Sequence, residues 1–97
     1  MTGYFAKSLA GHDKDEIYII FAEDDEYVYL IDGRIKTIAN PKKKNRKHIQ
    51  PIRKYYDKEI VEKLSTARET LRDEEVKRAI KLYKTRSEQT GENLSLT

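Results

Sequence analysis

Two short runs of β-branched and aromatic residues, close together in the first third of the chain, constrain its fold more than any other feature. The runs cover residues 16–21 and 26–31, and Asp24-Asp25, directly after Glu23, forms a short polar connection between them. Such runs are typical of strands, and a short polar connection suits a hairpin. Both faces of these strands carry apolar side chains, so a second element must cover one face.

Further strand signals flank this hairpin. Tyr4–Leu9 has the pattern of a first strand, which ends where the chain turns at Ala10-Gly11. Asp32-Gly33 is a strong hairpin signal and predicts a strand over residues 34–38, and residues 48–52 are a candidate fifth strand. Five short strands within about 50 residues predict a small barrel.

The last part of the chain predicts helix. One apolar stripe with i, i+3, i+4, i+7 spacing is formed by Val76, Ala79, Ile80 and Tyr83. Thr70-x-x-Asp73 resembles a capping box at its start, and Gly91 is a stop signal. The preceding residues fit either a short helix over 57–64 or one longer helix that continues to residue 71.

We therefore predict a mainly β fold with a C-terminal α region. Residues 1–54 form the five-stranded barrel, and residues 55–97 form one or two helices that pack on it. A frayed tail is expected after about residue 90.

The composition indicates one small domain. The 97 residues suffice for a modest core, and 38% of them are charged, so a densely ionic surface is expected. There are no cysteines, which fits a reducing compartment. No apolar run approaches the roughly 20 residues of a membrane span, and the N-terminal residues lack the pattern of a signal peptide. We expect a cytoplasmic protein that does not contact a membrane.

Charge is strongly segregated along the chain, although the net charge is only +3. Residues 1–40 carry −4, residues 41–56 carry +7 without any acidic residue, and residues 57–97 are neutral. Polyanions respond to such a local field more than to the net charge. We expect residues 41–56 to bind a polyanion.

The densest part of that charge is the sequence Pro41-Lys42-Lys43-Lys44-Asn45-Arg46-Lys47-His48, called here the basic segment. Pro41 keeps Asn40 out of helical geometry and predicts an exposed loop. Because the like charges repel each other, phosphates of RNA or DNA would stabilise the loop. A solvated basic turn is the simpler alternative.

Tyrosine is the dominant aromatic residue, with seven copies against two Phe and no Trp. Tyr55 and Tyr56 directly follow Arg53 and Lys54, so they are the best placed to stack on an unpaired base. The strand tyrosines and Tyr83 are expected instead to pack the helix onto the sheet.

The turn Gly11-His12-Asp13-Lys14 offers a second, weaker phosphate contact. His12 and Lys14 can donate to phosphate, and Asp13 can brace the turn through its own backbone. No pattern predicts an enzyme or a cofactor, because neither metal-ligand spacing nor a phosphate-binding glycine loop is present. The consecutive carboxylates at residues 23–26 are expected to form a solvated turn rather than a metal site.

The residues Gly3-Tyr4-Phe5-Ala6-Lys7-Ser8-Leu9-Ala10-Gly11-His12-Asp13-Lys14, followed by Ile17-Tyr18-Ile19-Ile20, resemble a KOW motif. With Tyr27-Val28-Tyr29-Leu30, Asp32-Gly33 and the basic segment, they resemble small bacterial KOW-domain RNA-binding proteins. These are similar to large-subunit ribosomal proteins with an SH3-like barrel. The resemblance covers residues 3–52 and implies an SH3-like barrel of five strands whose loops contact ribosomal RNA.

Two positions depart from that family. The family has Arg where this chain has His12, and Gly where it has Asp15. The change to His12 removes a permanent charge and a bidentate phosphate donor. If the turn needs a positive φ at residue 15, Asp is tolerated better there than most residues but worse than Gly.

The sequence thus predicts a non-enzymatic RNA-binding protein, associated with the ribosome or with translation, whose partner is ribosomal RNA and with it the large ribosomal subunit. The expected RNA contacts are Lys42, Lys43, Lys44, Asn45, Arg46, Lys47 and His48, flanked by Lys7, His12, Lys14, Arg53 and Lys54. The alternative is a protein-interaction module that binds a peptide through a cage of exposed Tyr18, Tyr27 and Tyr29.

Overall fold

The computed structural model describes the backbone of residues 1–96 and the side chains of residues 1–86. Five antiparallel strands form one sheet in the order β4-β3-β2-β1-β5. They are β1 (Tyr4–Ser8), β2 (Ile17–Glu23), β3 (Tyr27–Ile31), β4 (Lys42–Asn45) and β5 (Ile49–Tyr56). Two helices follow, α1 (Lys58–Thr66) and α2 (Asp73–Leu96), with a 3₁₀ turn at Arg68–Thr70 between them. The prediction of a mainly β chain with C-terminal helices is confirmed.

The hairpin of β2 and β3 follows the predicted runs. Ile19 lies opposite Ile31, and Ile20 lies opposite Leu30. Asp24 closes the turn, since its Oδ1 accepts hydrogen bonds from the backbone N–H groups of Glu26 and Tyr27, at 2.9 and 2.7 Å. These backbone hydrogen bonds lower the pKa of Asp24. Asp24 of the acidic turn therefore stabilises the turn by accepting backbone hydrogen bonds.

Two predictions for residues 34–48 are wrong. Residues 34–38 form no strand, and the basic segment is not a loop. Its residues 42–45 form β4, which pairs with β3, and the 3₁₀ turn Arg46–His48 joins β4 to β5. Lysine is depleted in strands, so the local sequence carries no strand signal there. Pairing with the distant, strongly apolar β3 overrides that weak local preference.

The helices cover one face of the sheet. Phe5, Ile19 and Ile31 on this face belong to one buried cluster with Ile60, Leu64, Leu71, Val76, Ala79 and Ile80. The predicted stripe on α2 is confirmed, because Val76, Ala79 and Ile80 are buried and Tyr83 packs against the cluster. Burying one large aliphatic side chain contributes about 1.5–3 kcal/mol, so this face supplies much of the drive for folding.

The opposite face of the sheet is also buried. Its cluster consists of Ala6, Tyr18, Ile20, Val28, Leu30 and Ile49, with Met1 packed against it. All of these are strand residues except Met1. Tyr18 therefore packs on the face away from the helices, against the expectation that the strand tyrosines hold the helix.

The helix boundaries depart from their predicted signals. Asp57 caps α1 by accepting a hydrogen bond from Ile60 N, and α1 ends at Thr66, so the longer helix to residue 71 does not form. Thr70 lies in a 3₁₀ turn, and its predicted capping box does not form, because Asp73 Oδ1 accepts instead from Ile38 N at 2.9 Å.

At its other end, α2 continues through Gly91 to Leu96, so the stop predicted there is also wrong. The predicted frayed tail concerns residues whose side chains are not described, and Thr97 lies outside the described residues altogether. Among the helices described, none has both the length and the apolar character that crossing a bilayer requires.

Candidate functional site

The pairing of β4 with β3 divides the lysines of the basic segment between the two faces of the sheet. Lys42 lies opposite Leu30 and Lys44 lies opposite Val28, both of which are fully buried. Paired residues share a face, so Lys42 and Lys44 project toward the buried side. Lys43 lies on the opposite face, where it is paired with Tyr29 and its Nζ is 4.2 Å from the centre of the Tyr27 ring.

The carboxylate of Asp13 forms ion pairs with both Lys42 and Lys44. Lys44 Nζ lies 2.6 Å from Asp13 Oδ1, and Lys42 Nζ lies 2.8 Å from Asp13 Oδ2. Lys44 also donates to the carbonyl oxygen of Ala10 at 2.8 Å. The side chains of Asp13 and Lys44 are only 11% and 10% exposed, so little water competes for this ion pair.

Two hydroxyl groups complete the ring of donors around Asp13. Ser8 Oγ donates to Oδ1 at 2.8 Å, and Tyr18 OH donates to Oδ2 at 2.9 Å. Burial by itself raises the pKa of Asp13, but the hydrogen bonds from Lys42, Lys44 and these hydroxyls outweigh it and hold that pKa far below its usual range. Burial and the hydrogen bond to Asp13 raise the pKa of Tyr18. The carboxylate is ionised and the phenol neutral at any physiological pH.

The turn between β1 and β2 places Asp13 for this role. Gly11 has a φ of +89°, and a Cβ there would stand 3.5 Å from Asp13 Oδ1. Asp15 has a φ of +74°, so the turn adopts a left-handed backbone at that position. Lys7 Nζ lies 3.7 Å from Asp15 Oδ1, and His12 is exposed.

A second acidic residue engages the end of the basic segment. Arg46 donates from its guanidinium to Glu23 Oε1 at 2.6 Å and to the backbone oxygen of Asp24 at 2.7 Å. The N-terminal ammonium of Met1 lies 2.7 Å from the other Glu23 oxygen. The hydrogen bond from that ammonium, assisted by the one from Arg46, lowers the pKa of Glu23. Asn45 caps the 3₁₀ turn by accepting from Lys47 N at 3.0 Å.

The protein therefore neutralises part of its own basic region. Of the seven cations in residues 41–56, three pair with carboxylates: Lys42 and Lys44 with Asp13, and Arg46 with Glu23. The other four form no ion pair with any described residue and are exposed: Lys43, Lys47, Arg53 and Lys54. Exposed His48 lies beside Lys47 in the 3₁₀ turn, and exposed Lys14 is likewise without an ion pair in the described chain.

The four cations of residues 41–56 that are unpaired in the described part of the structure lie on the two edge strands of the sheet and in the turn that joins them. Lys43 is on β4, Lys47 is in the connecting turn, and Arg53 and Lys54 are on β5. Lys47 and Arg53 are six positions apart in the sequence, which corresponds to at most about 20 Å of extended chain. The predicted contacts thus lie on two strands and the turn between them rather than in one loop.

Sequence reasoning missed Asp13 and Glu23 as partners of the basic segment. Asp13 was expected to brace its own turn through the backbone, but its side chain reaches residues 29 and 31 positions away. No local pattern marks a carboxylate for such a contact. The alternation of Lys42, Lys43 and Lys44 on a strand is the signal that could have indicated it, had the segment been recognised as a strand.

The tyrosines do not form the exposed cage that a peptide-binding module would need. Tyr18 is only 5% exposed and its hydroxyl is bonded to Asp13. Tyr27 is half-buried beneath Lys43.

No cluster of three or more His, Asp or Glu side chains that could hold a metal ion occurs among the residues described. The chain matches no protein-family model and no characterised protein. Its function must therefore be inferred from the arrangement of its own residues.

Proposed function

We propose that this chain is a cytoplasmic RNA-binding protein without catalytic activity, and that ribosomal RNA is its target. The observation that carries the proposal is the uncompensated charge on the edge strands. Residues 41–56 contain no carboxylate, and four of their seven cations are exposed without an ion pair in the described chain. Such a path of fixed cations attracts a phosphate backbone, because binding releases the counterions condensed on it.

The proposed contact residues are narrower than those expected from the sequence. Lys43, Lys47, His48, Arg53 and Lys54 contact phosphates, and Lys7, His12 and Lys14 flank them. Lys42, Lys44 and Arg46 are assigned a structural role instead, because their charges already meet Asp13 and Glu23. Counting only the four Lys and Arg residues among them, four phosphate contacts correspond to a slope of log K against log salt of about −3.

The proposal also includes a more specific fold than a five-stranded sheet with two helices. We infer that the sheet coils into an SH3-like barrel of the KOW type. The cluster behind the sheet is buried although no helix residue belongs to it, which supports a sheet that curls around its own side chains. Register shifts in β2 between Ile20 and Ala22, and in β1 between Tyr4 and Phe5, supply places where strands bend. The short 3₁₀ turn joins the two edge strands.

A purely structural explanation of the lysines also exists. Charged residues on an edge strand, lysine above all, prevent pairing with the edge of another chain. That explanation accounts for Lys43 on the edge strand β4 and for Arg53 and Lys54 on the other edge strand, β5. It does not account for Lys47 of the 3₁₀ turn, since a turn offers no edge for pairing.

The test compares two variants that lose the same charge. In the interface variant Lys43, Lys47, Arg53 and Lys54 are all replaced by Gln. In the control variant four exposed cations of α2 are replaced by Gln: Lys77, Arg78, Lys81 and Lys84. The affinity for an RNA stem–loop from the large ribosomal subunit is measured across a salt series for the wild type and for both variants.

We expect the affinity of the interface variant to depend only weakly on salt. At about 0.1 M salt it should bind the RNA at least about tenfold more weakly than the wild type. The control should stay within about threefold of the wild type, because its four cations lie on α2, outside the proposed contact residues, and salt screens their more distant charge. Equal weakening of the two variants would show that net charge alone attracts RNA and would refute the site. Co-sedimentation with ribosomal subunits at low and high salt then tests the proposed target.

A further inference from the structure

A groove lined by aromatic side chains lies between the end of β5 and α2. Its volume is about 280 Å³, and it lies next to the cations of the proposed interface, because Arg53 and Lys54 directly precede Tyr55 and Tyr56. Tyr55, Tyr56, Leu82, Tyr83 and Arg86 are among the residues that line it.

The aromatic rings of the groove are held in place from behind. Tyr83 stacks on the buried Phe5 with ring centres 4.7 Å apart, and Tyr55 meets the edge of Tyr83 at 6.0 Å. Tyr56 rests on Tyr4 at 4.9 Å, yet 49% of its surface is exposed. Rings fixed in this way lose little freedom when a flat ligand stacks on them, which favours binding.

The charges around the groove favour an anionic ligand with a flat ring. Arg86 lies 5.7 Å from the centre of the Tyr55 ring, and Lys58 also lines the groove. Both carboxylates of the lining have partners. Asp57 accepts from Ile60 N at 3.1 Å, and Glu59 lies 3.4 Å from Lys63.

We propose that this groove binds one unpaired nucleobase of the RNA whose phosphates contact the edge strands. The inference rests on the proposed function and names the kind of RNA involved, one with an unstacked nucleotide. Tyrosine rings stack on bases with little preference for sequence, and a neighbouring Arg adds to the attraction. The volume is just below the range typical of sites for larger ligands, which suits a single base.

Docking of a second protein chain fits the groove less well. Of its lining, only Tyr56 and Leu82 are exposed large apolar residues. Two such residues give a small apolar patch, far below the area that a stable protein–protein interface buries. The adjacent unpaired cations favour a phosphate-bearing ligand instead.

The experiment uses a single-stranded oligoadenylate of about ten nucleotides and an abasic chain of the same length, which keeps every phosphate but has no bases. Affinities are measured for the wild-type protein and for Tyr56→Leu and Tyr56→Phe. Phe keeps the ring and removes only the hydroxyl, so it controls for changes at this position that do not involve stacking. Circular dichroism verifies that both variants are folded.

We expect the wild type to bind the oligoadenylate about tenfold or more tightly than the abasic chain. Tyr56→Phe should behave as the wild type does. Tyr56→Leu should bind the two chains equally, with an unchanged salt slope, because the phosphate contacts remain. The base site would be overturned if the wild type bound the oligoadenylate and the abasic chain with equal affinity. It would also be overturned if Tyr56→Phe and Tyr56→Leu lost the same affinity for the oligoadenylate. Either result would leave the phosphate interface intact. Failure to bind any RNA would overturn both proposals.

Discussion

Replacing Asp13 by Asn tests the ionic contact that holds the basic strand β4 to the rest of the protein. The carboxylate accepts hydrogen bonds from Lys42, Lys44, Ser8 and Tyr18, all at 2.9 Å or less. Asn has nearly the same size but no charge, and its amide nitrogen is a donor facing other donors. The variant therefore leaves two ammonium groups close together without an anion between them.

The expected loss of stability follows from the burial of this cluster. Removing one partner of a fully buried ion pair costs about 3–5 kcal/mol. Lys42 is 30% exposed and can regain hydration, so the lower end of that range applies. We expect the free energy of unfolding to fall by about 3 kcal/mol, a large share of the roughly 5–15 kcal/mol of a typical domain.

Lys44→Met provides the matched control. Asp13 then keeps Lys42 at 2.8 Å and both hydroxyl donors, so its charge is still compensated. This variant should lose only about 1 kcal/mol, and the double variant Asp13→Asn/Lys44→Met should lose less than the sum of the two. Urea denaturation of the four proteins measures the coupling directly.

The pH dependence has a definite sign. Because folding lowers the pKa of Asp13, its contribution is fully present above its unfolded pKa of about 4 and is lost as the pH falls below that value. The wild type should therefore lose stability on acidification more steeply than Asp13→Asn. A loss below about 1 kcal/mol in Asp13→Asn at neutral pH, or acid profiles of equal steepness in the two proteins, would refute the reasoning.

Three other outcomes are expected. If Asp13→Asn remains folded, it should bind RNA with a slightly steeper salt dependence than the wild type, because Lys42, which is 30% exposed, loses its carboxylate partner; an unchanged slope in the salt series would contradict this. Gly33→Ala should lower the melting temperature by several degrees, as measured by circular dichroism, since φ is +77° there and the added Cβ would overlap the carbonyl oxygen of Asp73. Ile31→Ala should lower the free energy of unfolding by about 2–5 kcal/mol in urea denaturation, because Ile31 is fully buried. Ile35→Ala is the control and should change that free energy by less than about 0.5 kcal/mol, because Ile35 is 76% exposed. Similar losses in the two variants would contradict the placement of the core.

The strands β1, β2, β3 and β5 and the apolar stripe of α2 were predictable because their signals are local. Ile17, Ile19 and Phe21 alternate over a few residues, and Val76, Ala79 and Ile80 repeat at the helical period. Each pattern requires one particular geometry if its apolar side chains are to leave water together.

The sequence by itself thus determined the order of most elements, the faces that they bury and the stretch of chain that carries the excess charge. Only the tertiary structure decided how much of that charge faces outward. Pairing with β3 turned Lys42 and Lys44 toward Asp13, about thirty residues earlier, and left Lys43 outside. The physical reason is that the apolar face of a strand is determined by the alternation of neighbouring residues. The partner of a charged side chain depends instead on which distant side chain the completed fold brings within hydrogen-bonding distance.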